Sequence, residues 1–226
     1  MQESYLTPSK IEEFRKKIIE WYEIYGEKNM PWRNTSDGWA VLVASFLLRK
    51  TTAIQVAKVY REFLKRYPSP QALLSASEEE VKEIIRPLGI EHQRSKNLLE
   101  LAEEIVKKFN GRLPCSKEKL KELPGVGEYI ASEVLLLACG QPEPLLDRNM
   151  IRVIERFFGI KSPKKRPHTD KALWSFAKAL VPPNPEEAKK FNFGVLDFAR
   201  KICTAKDPKC AECFIRDLCF FASRIK

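Results

Sequence analysis

Apolar residues recur at three- and four-residue intervals along nearly all of the 226-residue chain, and no stretch sustains the period-two alternation of a half-buried strand. The spacing predicts an all-α protein. Ile11, Phe14, Ile18, Trp21, Tyr22 and Tyr25 form one apolar face over 11–25, with Thr7-Pro8 as cap and first-turn proline ahead and Gly26 behind. The segment 39–48 is apolar almost all round, which suits a helix buried on every side. Ser77 and Glu80 have capping-box spacing in front of Val81, Ile84 and Ile85. Further helices are predicted over 53–66, 95–109, 117–122, 128–138, 148–158, 170–180 and 186–202, and the basic run 161–168 reads as a loop.

Composition bounds what these helices do. With 44% hydrophobic and 31% charged residues, a packed core is feasible and disorder is not expected. Forty Lys and Arg stand against 30 acids, a formal charge of +10 that favours a polyanionic partner. No run approaches the roughly 18 apolar residues of a membrane span. The opening Met1-Gln-Glu-Ser-Tyr5 lacks the basic and apolar regions of a secretory signal. The expectation is a cytoplasmic, nucleoid-associated prokaryotic protein, monomeric and without membrane contact. In such a compartment thiols stay reduced, so Cys115 and Cys139 read as ordinary buried thiols. His92 and His168 have no nucleophile–base signature and default to the surface.

Two segments stand out chemically. Leu123-Pro124-Gly125-Val126-Gly127 separates two helical stretches. Its glycines permit backbone angles and close approaches that a Cβ would block, and the N–H groups opening the next helix suit a phosphate. A plain inter-helix turn also reads this way. The second segment is Cys203-x6-Cys210-x2-Cys213-x5-Cys219, four of the six cysteines in one short loop. Four thiolates so placed close around one metal centre, either an iron–sulfur cluster or tetrahedral zinc. Zinc ribbons present two Cys-x2-Cys pairs, and only one is present here.

The cysteine spacing, with the hairpin upstream of it, resembles the endonuclease III and adenine DNA glycosylase superfamily, the helix-hairpin-helix DNA glycosylases whose cysteine loop holds a 4Fe–4S cluster. The resemblance runs from Pro31-Trp32-Arg33 through Phe191-Asn192 to Cys219. The stretches 47–52 and 171–174 tilt it toward archaeal thymine/uracil–DNA glycosylases acting on mismatches. It implies a two-domain fold, with a six-helix domain over 30–138 carrying the hairpin and a cluster domain built from 1–29 plus 139–226. Double-stranded DNA with a mismatched or damaged base would bind in the groove between them, with Tyr129 and Asp147 at its mouth.

Residue by residue, the resemblance makes Asp147 the catalytic aspartate, 18 positions beyond Tyr129. From spacing alone Asp147 is an N-cap, whose helix N–H groups should keep it ionised beside a developing oxocarbenium charge. Tyr129 stands where bifunctional relatives carry a lysine, and a phenol cannot form the imine that precedes strand cleavage. Gly125, Val126 and Gly127 would grip phosphates, Ile90 would wedge the duplex open, and Arg49 and Lys50 would fill the vacated space. Phe193 would shape the base pocket, together with Ser45. Ser45 departs from the pattern, because adenine glycosylases and the mismatch thymine branch place an acid there. The implied activity is removal of T or U opposite G without strand cleavage. The rivals are another lesion (hypoxanthine, an oxidised pyrimidine, or adenine opposite oxidised guanine) and a non-enzymatic DNA-binding module with a four-cysteine metal site.

Overall fold

The computed structural model describes residues 7–225, so the Met1–Tyr5 opening lies outside the described residues. Within them the chain is helical throughout, with no strand. In chain order the helices are α1 (Pro8–Tyr25), α2 (Gly38–Leu47), α3 (Ala53–Arg66), α4 (Pro70–Leu74), α5 (Glu78–Ile85), α6 (Glu91–Phe109), α7 (Lys117–Lys121), α8 (Glu128–Ala138), α9 (Arg148–Phe158), α10 (Lys171–Leu180) and α11 (Pro185–Lys201). Among the described residues no helix is long and apolar enough to cross a membrane. The local signals are physical: Thr7 accepts from Lys10 N before Pro8, and Ser77 and Glu80 close a reciprocal capping box on α5.

The chain divides into two compact units, Lys28–Gln141 and Met1–Glu27 with Pro142–Lys226. The first unit holds α2–α8, seven helices where six were expected. The extra one is α4, capped by Ser69 with Pro70 in its first turn and too short to show a period. Its centre is α2, whose residues Trp39–Leu47 are all buried, packed against α8, buried from Ile130 to Leu137. In the second unit α1 packs on α11. Phe14, 1% exposed, meets the rings of Phe157, Phe158 and Phe191 at 4.6, 5.2 and 5.8 Å. Each buried phenylalanine contributes roughly 1.5–3 kcal/mol. At Gly194 of α11 a Cβ would stand 2.8 Å from Ile18, so the missing side chain sets the approach of these two helices.

The expectation for Cys115 and Cys139 is overturned. They form a disulfide across 24 residues, with Cα atoms 5.8 Å apart. Neither is a core thiol: Cys115 is exposed and Cys139 half-buried. The cause is topological. α7 and α8 fold back on each other, bringing the residue just before α7 beside the C-cap of α8. Gln141 Nε2, donating to Cys115 O at 3.1 Å, ties the same two ends.

Candidate active site and metal centre

The hairpin lies between α7 and α8. Leu123 and Val126 anchor it in the core at 2% and 6% exposure, and Val126 N donates to Leu123 O at 3.1 Å. Gly125 has φ +74°, and a Cβ there would stand 3.1 Å from the Phe46 ring and 3.2 Å from Arg49 Nη1. Both reasons for a glycine hold at this position. They fail at Gly127, where φ is −95° and a Cβ would meet nothing within 4 Å. What Gly127 contributes is its place as N-cap of α8 with no side-chain cap, so no side chain of its own occupies the first-turn amides.

Arg49 is half-buried. Its guanidinium stacks 3.9 Å from the Phe46 ring centroid, and Nη2 donates to Gly125 O. The neighbouring Lys50 is exposed and left-handed at φ +55°. Ile90 is also left-handed, at φ +49°, and 53% exposed. A β-branched residue in this region is an outlier that surrounding structure must hold in place.

The holder is Arg94, a residue that the sequence reading passed over. It is 5% exposed. Nη1 donates to Phe46 O and Leu47 O at 2.9 and 3.0 Å, Nη2 to Arg49 O at 2.6 Å and to Thr51 Oγ1, and Nε to Gly89 O at 3.0 Å. One buried cation thus satisfies the last carbonyls of α2 and fixes the segments 49–51 and 89–90 together. Tyr129 sits half-buried in the first turn of α8. Ser45, 7% exposed, stands 2.6 Å from Oε2 of Glu133 and 2.9 Å from Val41 O. His92 and His168 are both exposed.

In the other unit Asp147 caps α9. Oδ1 accepts from Asn149 N and Met150 N at 2.8 and 2.9 Å, and Oδ2 from Asn149 Nδ2 at 2.6 Å. Burial works against the cap on its acidity. Burial of the carboxyl raises its pKa above the usual value, and the bonds from Met150 and Asn149 and the charge of Arg152 only partly offset this. The network runs on: Arg152 donates to Asn149 Oδ1 at 3.1 Å, Ala199 O at 2.8 Å and Cys203 O at 2.9 Å. A second positioning residue is Asn192 of α11, fully buried, whose Oδ1 accepts from Leu145 N at 2.7 Å and whose Nδ2 donates to Glu143 O at 3.0 Å. It pins the segment leading into Asp147. Phe193, the next residue, is 4% exposed.

Cys203, Cys210, Cys213 and Cys219 carry no disulfide and line one apolar cavity with Val153, Phe157, Phe198 and Ile215. Phe214 stacks on Trp21 at 5.9 Å and anchors the loop. Burial pushes the Cys213 thiol up to about 11, and the three other sulfurs add to the shift. Cationic iron reverses that penalty. Four thiols lining one cavity from a single loop with only one Cys-x2-Cys pair suit an iron–sulfur cluster. Arg156, donating to Thr204 O at 2.6 Å and Cys203 Sγ at 3.5 Å, places a positive charge beside an anionic thiolate cage.

A helical chain with a Pro-Gly-Val-Gly hairpin between two helices and a four-thiol loop is the architecture of a base-excision DNA repair protein. The chain belongs to the HhH-GPD superfamily of base excision DNA repair proteins, whose model matches residues 43–179. The iron–sulfur binding domain of endonuclease III matches 203–219, and the cofactor is a 4Fe–4S cluster. The chain is 65% identical to a thymine-DNA glycosylase of Aeropyrum pernix, over 96% of this chain and 97% of that one. It is also 65% identical to a thymine/uracil-DNA glycosylase of Pyrobaculum aerophilum, over 92% and 91%. A solved thermostable thymine-DNA glycosylase superposes with a TM-score of 0.90 at 34% identity, covering 96% of this chain and 98% of that one.

Proposed function

We propose that the protein hydrolyses the N-glycosidic bond of thymine or uracil mispaired with guanine, leaving an abasic site in an uncut strand. The observation that carries this reading is the 65% identity, over almost the full length of both chains, to the thymine-DNA glycosylase of Aeropyrum pernix. Asp147 stabilises the developing oxocarbenium charge or takes a proton from the attacking water. Its cap fixes the carboxylate before any substrate arrives, so no reorganisation is needed at the moment of reaction. Tyr129 lines the extruded nucleotide's site and offers no amine, so no imine forms.

DNA is gripped through its backbone by the α8 amides after Gly125, Val126 and Gly127. Ile90 enters the stack, and the mispair makes extrusion cheap. Lys50 contacts the orphan base, while Arg49 supports the hairpin turn. Phe193 shapes the base pocket. Cys203, Cys210, Cys213 and Cys219 hold the cluster, which stabilises the C-terminal loop and does not turn over. The protein works as a monomer in the cytoplasm, on chromosomal DNA.

The test is a panel of duplexes carrying G/T, G/U, hypoxanthine, oxidised pyrimidines and adenine opposite oxidised guanine, analysed with and without alkali. G/T and G/U strands should break only after alkali, with no borohydride-trapped adduct. Cleavage of another lesion with G/T and G/U left intact refutes the substrate assignment, and a trapped adduct refutes the absence of an imine.

A further inference from the structure

Glu133 is a buried carboxyl that none of the steps above uses. It lies on α8, one turn beyond Tyr129 and therefore on the same helical face. At 6% exposure it sits within the largely apolar packing of α2 on α8, where Ser45 and Ser132 are the other buried polar residues. Such a group is costly to bury unless it is hydrogen-bonded or paired.

The contact with Ser45 is what makes the carboxyl informative. Ser45 Oγ owns one proton and faces two acceptors, Val41 O at 2.9 Å and Glu133 Oε2 at 2.6 Å. Both contacts are satisfied at once when Glu133 carries a proton and donates it to Oγ, while Oγ donates to Val41 O. A carboxylic acid held neutral beside a reacting group is a general acid in waiting. Position 45 itself offers only a hydroxyl, which is no proton donor to a departing pyrimidine.

We propose that Glu133 is a catalytic residue: it contacts the extruded pyrimidine and protonates it as it leaves, with Ser45 as its positioning residue. The proposal rests on the glycosylase reading above. In the step, the C1′–N1 bond breaks and its electron pair passes into the base. The Glu133 proton moves to the pyrimidine O2, water adds through oxygen to C1′ and releases one proton to solvent, and Glu133 regains one from solvent. The products are the neutral base and the abasic hydroxyl.

The experiment measures single-turnover base release from G/T and G/U duplexes by wild type, Glu133→Gln, Glu133→Ala and the double variant Glu133→Ala/Ser45→Glu. Thermal melting and affinity for a duplex with a tetrahydrofuran abasic analogue are read alongside. Glu133→Gln should lose at least about a hundredfold in rate with melting and binding retained. The double variant, which returns a carboxyl to the same spot from α2, should exceed Glu133→Ala by at least about tenfold. A well-folded Glu133→Gln at near wild-type rate overturns the proposal. If Glu133→Gln does not fold, a folded double variant no faster than Glu133→Ala overturns it equally. Should wild type release a different base, the thymine assignment falls and Glu133 is judged by the same comparison on that base. Should it release none, both fall.

Discussion

The Cys115–Cys139 bridge makes a quantitative prediction. It closes a loop of 24 residues around α7, the hairpin turn and α8. Loop-closure entropy for that length removes about 3.5 kcal/mol of freedom from the unfolded chain at 25 °C. For a protein of this size one kcal/mol moves the melting midpoint by about 2–4 °C, so losing the bridge should cost about 7–14 °C. The perturbation is Cys115→Ser with Cys139→Ser, which leaves the four cluster thiols untouched. The assay is far-ultraviolet circular dichroism on holoprotein, with and without a reductant too mild to strip the cluster. Wild type under reductant should melt with the double variant, and denatured, metal-free wild type should titrate four thiols before reduction and six after. Six thiols at the outset, or coincident melting of wild type and variant without reductant, would refute the argument.

Asp147→Asn preserves a good N-cap but removes the charge, so base release should fall by at least about a hundredfold in the alkali assay. Because burial raises the native pKa of Asp147, its proton-linked stabilisation is full below the unfolded value of 3.8 and is lost as pH rises through the native value. Above that, the enclosed charge is a net cost that Asn lacks. The variant should therefore melt no lower than wild type at neutral pH, with an advantage that shrinks as pH falls toward 3.8; a constant difference across that range would contradict the shift. Ile90→Gly relieves the left-handed strain and should gain about 1 kcal/mol while slowing release from G/T duplexes. A lower melting temperature would show that Ile90 is packed rather than strained.

Much of this was legible because helices announce themselves locally. Period, cap and breaker placed α1, α3, α5 and α8–α11 to within a few residues, and the cysteine spacing marked the metal loop. Asp147 could be read twice, as a cap and through its distance from Tyr129. The rest depends on partners far away in sequence. Nothing near Cys115 signals Cys139, since only the fold of the hairpin brings them together. Glu133 reads as one polar residue on a buried helix until Ser45, 88 positions earlier, is placed against it. Arg94 fell just before the predicted start of its helix, where a cation passes for a solvated end. The left-handed residues Lys50 and Ile90 were invisible because neither type favours that conformation, and only the Arg94 network makes it affordable.

That network has a bearing on how such a protein diversifies. Arg94 holds its two loops almost wholly by main-chain oxygens, those of Phe46, Leu47, Arg49 and Gly89, with Thr51 as the lone side-chain acceptor. A clasp on carbonyls is indifferent to which side chains hang from the same atoms. Positions 48, 50 and 90 can drift or be randomised in a library without breaking the bonds that hold the scaffold beneath them.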